Sequence, residues 1–278
     1  MTKESGKKGV GLVGCGSIGG DIARAVQAGE VGGARLVALF DQDEERGRVL
    51  AAELGGKAPY FSDLGSFLGA EGLELVVECA SAAAVRGCAE AVVASGKDLV
   101  VMSTGALLDE GLLERLEGVA REKGRLLLMP SGAIGGLDAI RASAHSLEEV
   151  TLTSTKPPRG LSGSPGFKEW EGVEITEPTV IYEGPALEAV KLFPANVNVA
   201  ASLSLAGLGP HRTQVKVVAD PGAPGNVHEI TARGGFGTMQ LRFENQPHPD
   251  NPRTSYLAVL SAIELLRQAC GRGTRVGS

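Results

Sequence analysis

Gly14-Cys15-Gly16-Ser17-Ile18-Gly19 spells G-x-G-x-x-G, and the chemistry of that spacing is the capture of a dinucleotide pyrophosphate. Gly14 permits a tight turn, Gly16 lets backbone N–H groups close on the phosphates, and Gly19 lets a helix pack closely on a strand. Ser17 and Ile18 open that helix, whose positive end suits an anion. In a chain with 40 glycines a bare match says little, but its setting says more. The apolar run Gly9 to Val13 precedes it, and Ile18, Ile22 and Val26 follow at helical spacing. A second apolar run, Ala34 to Phe40, ends at Asp41. An acid there accepts hydrogen bonds from the adenosine ribose and repels a 2′-phosphate. NAD is therefore expected, with NADP also accepted if Arg46 and Arg48 soften the discrimination.

Four histidines compete for proton chemistry. His145 sits near a helix end, where a cation interacts well with the dipole. His211 follows Gly209-Pro210 in a turn, and His248 lies between two prolines in a loop. His228 opens an apparent strand after Asn226-Val227 and is favoured modestly over His248. Lys156, Arg212, Arg233 and Arg253 are cations that could bind a substrate carboxylate, with Arg233 reading better as a surface charge. Thr254 or Ser255 could cap the final helix. Cys79, Ala80 and Ser81, like Ser103-Thr104-Gly105, end strands where a nicotinamide would lie. Taken singly, Ser81 and Thr104 read as ordinary turns, and Cys15 and Cys79 as small core fillers.

These residues need a scaffold, and its period is legible. Strand-type runs at Gly9 to Val13, Ala34 to Phe40, Leu73 to Val77, Leu99 to Met102 and Arg125 to Met129 alternate with helical stretches. That alternation predicts a Rossmann-type, doubly wound parallel sheet covered on both faces. After about residue 130 the character changes. Val150 to Thr155 alternates as a strand, Arg159 to Gly172 is rich in Gly, Ser and Pro and reads as a loop, and Glu183 to Phe193 reads as a helix. Gln214 to Ala219, His228 to Arg233 and Gly237 to Asn245 read as an antiparallel sheet, and Thr254 to Ala269 as a last helix. The expected division is an α/β dinucleotide-binding domain, 1–133 with 252–278, and a smaller α+β substrate and dimerisation domain, 134–251. The last helix is expected to return to the first domain, because alone it has nothing to bury against.

Composition removes several function classes. The net charge is −6 and no Lys/Arg run forms a phosphate-tracking stripe, so no nucleic-acid partner is expected. No apolar run approaches the ~20 residues of a membrane span. The four cysteines lie far apart, with neither a zinc pattern nor a disulfide framework, which fits a reducing cytoplasm and no metal.

Five further stretches are specific. They are residues 130–138 (PSGAIGGLD), Lys156-Pro157-Pro158, residues 193–200 (FPANVNVA), residues 226–230 (NVHEI) and Asn251-Pro252-Arg253-Thr254-Ser255. In this order, from Val10 to about Leu266, the chain resembles the L-aspartate dehydrogenase family. The resemblance implies oxidation of L-aspartate to iminosuccinate with hydride transfer to NAD or NADP. The imine then passes to quinolinate synthesis or hydrolyses to oxaloacetate and ammonia. It implies nucleotide contacts at Ala133 and Asn198 and an active-site histidine at His228. Two substrate carboxylates would need two donor sets, for which Lys156 and Arg253, completed by Thr254 and Ser255, are the candidates. A homodimer is expected from the same resemblance and from an apolar second-domain sheet that one chain would not cover. The runners-up are a reductase of the dihydrodipicolinate or homoserine type and a non-catalytic NAD-binding regulator. The stretches around Asn198 and His228 favour the aspartate enzyme.

Overall fold

The computed structural model describes residues 6–194 and 198–271, with the side chains of Pro252 and Arg253 outside that description. Asn196, part of the 193–200 stretch, falls outside it, and so does the side chain proposed at Arg253. Two compact units emerge. One holds the described residues up to Pro130 together with those from Val259 onward, and the other holds residues 131–258.

The first unit follows from its buried apolar runs. Strands β1 (Lys8–Val13), β2 (Ala34–Phe40), β3 (Tyr60–Phe61), β4 (Leu75–Glu78), β5 (Asp98–Val101) and β6 (Leu127–Leu128) form one sheet. Its order is β3-β2-β1-β4-β5-β6 and every pairing is parallel. All four residues of β4 and of β5 are buried, as expected when helices cover both faces. The covering helices are α1 (Ser17–Gln27), α2 (Glu44–Glu53), α3 (Leu64–Leu68), α4 (Ala82–Ala94) and α5 (Leu112–Lys123). Asp43, Asp63 and Ser81 cap α2, α3 and α4 by accepting backbone N–H bonds. The strand order reverses between β1 and β4, and ligands of such sheets bind outside the carboxyl ends at that point.

The second unit contains α6 (Leu137–Ala142), β7 (Leu147–Lys156), α7 (Pro158–Leu161), β8 (Thr179–Pro185), α8 (Ala186–Leu192) and α9 (Asn198–Ala206). It continues with β9 (Gln214–Ala219), β10 (Asn226–Gly234), β11 (Gly237–Asn245), β12 (Pro247–His248) and β13 (Asn251–Ser255). Five strands form a sheet in the order β11-β10-β7-β9-β8. It is mixed rather than antiparallel, because β9 pairs with β7 in parallel and never with β10. Leu152, Val215, Val217, Ile230 and Ala232 face a core shared with Ile140, Ala189, Phe193, Ala200 and Leu203. The opposite face carries Thr151, Thr153, Thr155, Lys216, Glu229 and Thr231, with Val218 and Val227 toward one end, so it is mainly polar, not the apolar surface expected from the sequence.

Three further expectations change. Residues 183–185 belong to β8, so the helix begins at Ala186. Residues 159–172 are not an open loop: α7 and a short 3-10 helix, Pro165–Trp170, anchor them through buried Leu161 and Phe167. Thr254 and Ser255 lie in β13, and α10 (Tyr256–Cys270) starts after them. Val259, Ala262, Ile263 and Leu266 of α10 pack into the first unit's core beside Val10, Leu12 and Ile22.

Candidate active site

In the first unit, β1 ends at Val13 and the chain turns at Gly14, whose φ of +110° disfavours any side chain. The Gly14 N–H donates to the carbonyl of Phe40 at 2.8 Å. A Cβ on Gly19 would stand 2.0 Å from the Gly14 carbonyl oxygen, so only glycine lets α1 come this close to the turn. Gly16 differs: no atom lies within 4 Å of where its Cβ would be. Two glycines are thus required by the protein itself, while the third keeps the approach to the helix end clear. The first internal bond of α1 runs from Gly20 N–H to Gly16. That leaves Ser17, Ile18 and Gly19 as the free N–H end of the helix, with no acidic residue in its first turn. The residues present fit a dinucleotide pyrophosphate.

Asp41 follows β2 directly. Its carboxylate accepts the Cys15 N–H at 2.7 Å and the Asp43 N–H at 2.9 Å, which ties the glycine turn to the start of α2. Each oxygen keeps a lone pair for a ribose hydroxyl. Arg46 pairs with Asp43 and Arg48 with Glu44, so both arginines are engaged on their own helix. Cys79 lies beneath the turn, its thiol donating to the carbonyls of Gly14 and Val13. Burial pushes that thiol well above its ordinary pKa, and burial and Asp41 push the Cys15 thiol up to about 12. Neither is a nucleophile. Cys79 supports the turn from below, while Ala80, the next residue, is exposed.

The second unit gathers its polar groups at one end of the sheet's core face. His228 on β10 stands opposite Ser154 on β7, and the Ser154 hydroxyl lies 3.1 Å from its Nδ1. His228 is 2% exposed and Lys156 4% exposed. Burial lowers the His228 pKa to about 3, with the Lys156 charge adding to the effect. Burial alone brings Lys156 down to about 8. Among the described residues the Lys156 ammonium has neither an ion pair nor a hydrogen bond. Asn226 donates to the Ser255 hydroxyl at 3.1 Å and stands opposite Asn245, whose side chain donates to the Ala133 carbonyl at 2.9 Å. Thr254 accepts from Asn251. Asn198 is half-buried at the first turn of α9.

The structure therefore gathers Gly14, Gly16, Ser17, Ile18, Gly19, Asp41 and Cys79 in the first unit. It links His228 with Lys156, and Ala133 with Ser255 through Asn245 and Asn226, in the second. His145 and His211 are exposed, and Arg233 pairs with Glu149 at the surface. His248 is buried rather than a surface loop residue, with its ring edge-on to Tyr256 and its Nδ1 accepting the Asp250 N–H. Ser154, Asn245 and Glu78 have no assignment from sequence. Period-2 alternation along β7 could have placed Ser154 on the His228 face, but nothing in the sequence pairs the two strands.

A family model described as "Aspartate dehydrogenase, C-terminal" matches residues 138–269, and one described as "Homoserine dehydrogenase, NAD binding domain" matches residues 14–130. An L-aspartate dehydrogenase of Methanosarcina acetivorans is 48% identical over 263 residues, covering 93% of this chain and 96% of that protein. One from Nitrosopumilus maritimus is 42% identical, covering 98% and 100%. The crystal structure of aspartate dehydrogenase from Thermotoga maritima superposes with a TM-score of 0.76 at 26% identity, covering 97% of this chain and 99% of that one. The chain belongs to the L-aspartate dehydrogenase family.

Proposed function

We propose that the chain is an L-aspartate dehydrogenase that takes hydride from Cα of L-aspartate and leaves iminosuccinate. The observation that carries this reading is the buried Lys156 beside His228, with no ion pair or hydrogen bond among the described residues, in a chain of this family. An ammonium held in a low-dielectric site without an acid partner calls for a carboxylate, and aspartate carries two. Arg253, Thr254 and Ser255 are the candidates for the second carboxylate. When bound, the nicotinamide dinucleotide accepts the hydride. Gly14, Gly16, Ser17, Ile18, Gly19 and Asp41 hold its adenosine diphosphate part, and Cys79, Ala80, Ala133 and Asn198 complete its contacts. The fit of Asp41 to a ribose 2′-hydroxyl favours NAD over NADP.

Oxidation at Cα needs the substrate amine neutral, so a proton has to go to a base. In the tautomer whose Nδ1–H donates to Ser154, His228 keeps a lone pair on Nε2 for that proton. Lys156 beside it, and burial, hold the imidazole neutral. A bound substrate carboxylate offsets the Lys156 charge and raises the proton affinity of His228 at the step that needs a base. The imidazolium can then return the proton, or release it to solvent, after which the neutral ring can activate water for hydrolysis of the imine to oxaloacetate and ammonia. The protein works as a homodimer. The polar sheet face with its rows of threonine and paired charges is the surface proposed for that contact, which makes it a polar interface rather than an apolar one.

Light scattering of the intact chain is expected to give twice 28.6 kDa, and a monomer at micromolar concentration rejects the dimer. Asp41→Ala should weaken NAD binding roughly tenfold and raise the affinity for NADP relative to NAD. An unchanged ratio in a fluorescence titration removes Asp41 from the ribose. His228→Ala should lower kcat for L-aspartate by roughly 10²–10⁴-fold with NAD affinity unchanged, and His211→Ala should change neither kcat nor NAD affinity.

The pH profile follows from the two lowered pKa values. His228, near 3, is neutral across the working range, so kcat/KM should show no step at the ordinary histidine value. Lys156 is a cation only below about 8, so its part in carboxylate binding is present under that pH and fades above it. The resulting alkaline fall in kcat/KM for L-aspartate should disappear in Lys156→Arg, which stays charged. A fall that persists in this variant assigns the titration to another group.

A further inference from the structure

Glu78 closes β4, at the carboxyl edge of the parallel sheet and next to the reversal of strand order. It has no solvent exposure. Its Oε1 accepts the N–H groups of Ala80 and Ser81 and the hydroxyl of Ser103, and its Oε2 accepts the N–H of Ser103. One carboxylate thus joins the chain leaving β4 to the chain leaving β5. Four donors and no acceptor surround it, which is the environment of an anion. Burial pushes its pKa up, against those four hydrogen bonds.

The other fully enclosed acid of this unit provides the contrast. Asp98 is 5% exposed and is neutralised by Lys8. Glu78 has no basic partner among the described residues. These four donors call for an acceptor-only group, and a buried charge without a counter-charge is costly. The position suggests what the missing counter-charge is. Asp41, just after β2, marks the adenosine side of the switch point, so a dinucleotide crossing it places its nicotinamide half over β4 and β5. The oxidised nicotinamide ring is a cation, and the reduced ring is neutral.

We propose that Glu78 is a positioning residue for the nicotinamide half of the cofactor, and that its buried charge favours the oxidised ring over the reduced one. This rests on the dinucleotide reading of the site. It adds that the two oxidation states are distinguished by a group in the first unit alone. The distinction also acts on the reaction. Stabilising the oxidised cofactor in place shifts the bound equilibrium toward amino acid, which favours reduction of the imine once both substrates are bound.

The test is calorimetric titration of the full chain with NAD⁺, NADH and benzamide adenine dinucleotide, whose planar ring has carbon in place of the charged nitrogen. The wild type should bind NAD⁺ at least about tenfold more tightly than the uncharged planar analogue, since one charge–charge interaction at an effective dielectric near 20 is worth that much even across roughly 12 Å. Glu78→Gln should remove most of that preference and move the NAD⁺/NADH affinity ratio about tenfold toward NADH. Ser103→Ala keeps the charge and loses one donor, so it should weaken both forms by similar factors and leave their ratio intact. Equal wild-type affinities for NAD⁺ and the analogue overturn the proposal, and that comparison decides the matter even if Glu78→Gln fails to fold. A wild-type ratio retained in Glu78→Gln overturns it too. A wild type that binds neither NAD⁺ nor NADH overturns the cofactor reading itself, and this proposal with it.

Discussion

The approach of α1 to the turn before it sets the geometry of the first unit. With the Gly14 carbonyl 2.0 Å from where a Gly19 side chain would begin, the helix can start at Ser17 only if both positions are glycine. Everything at the carboxyl edge is placed from there. Asp41 reaches the Cys15 N–H because the turn brings it within bonding distance of the end of β2. Cys79 fills the space under the turn because β4 runs beside β1. A chain that lost this contact would keep its six strands but would not hold the helix end, the acid and the thiol around one point.

In the second unit the corresponding constraint is electrostatic. Ser154, Lys156 and His228 occupy buried positions that, farther along the same strands, belong to Leu152, Ile230 and Ala232. Each polar side chain there displaces an apolar one and gives up some stability. Lys156 and His228 respond in the same direction, because both are bases and burial disfavours the charged form of each. The Lys156 charge adds to the effect of burial on His228, whereas His228 is neutral where Lys156 titrates and leaves that shift to burial.

Much of this was legible in the amino-acid order, for identifiable reasons. β1, β4 and β5 are almost wholly buried and β2 is interrupted only by Arg35, so each reads as a mainly apolar run, and the glycine turn and Asp41 sit at the ends of β1 and β2. The sheet of the second unit was harder. Period-2 alternation reveals that Gln214 to Ala219 is a strand but not that it lies parallel to β7, since pairing partners leave no mark on periodicity. β8 ends in Gly184 and Pro185 and has no fully buried residue, so its tail merged with the helix that follows. Leu161 and Phe167 anchor a segment whose glycine, serine and proline content masked them. At the site, motif and residue type single out His228 and Lys156. Ser154 and Glu78 look like any strand serine and any strand-end acid until the neighbouring strand is known.

The bonds that shape the glycine turn come from the protein's own atoms: the Phe40 carbonyl, the Asp41 carboxylate and the Cys79 thiol. The turn is therefore preorganised, its conformational entropy already surrendered when the chain folds. A dinucleotide arriving there need not freeze a loop, and the ordering of loops is a substantial cost of association wherever it occurs. Association should accordingly proceed at a rate set by diffusion and orientation rather than by loop rearrangement.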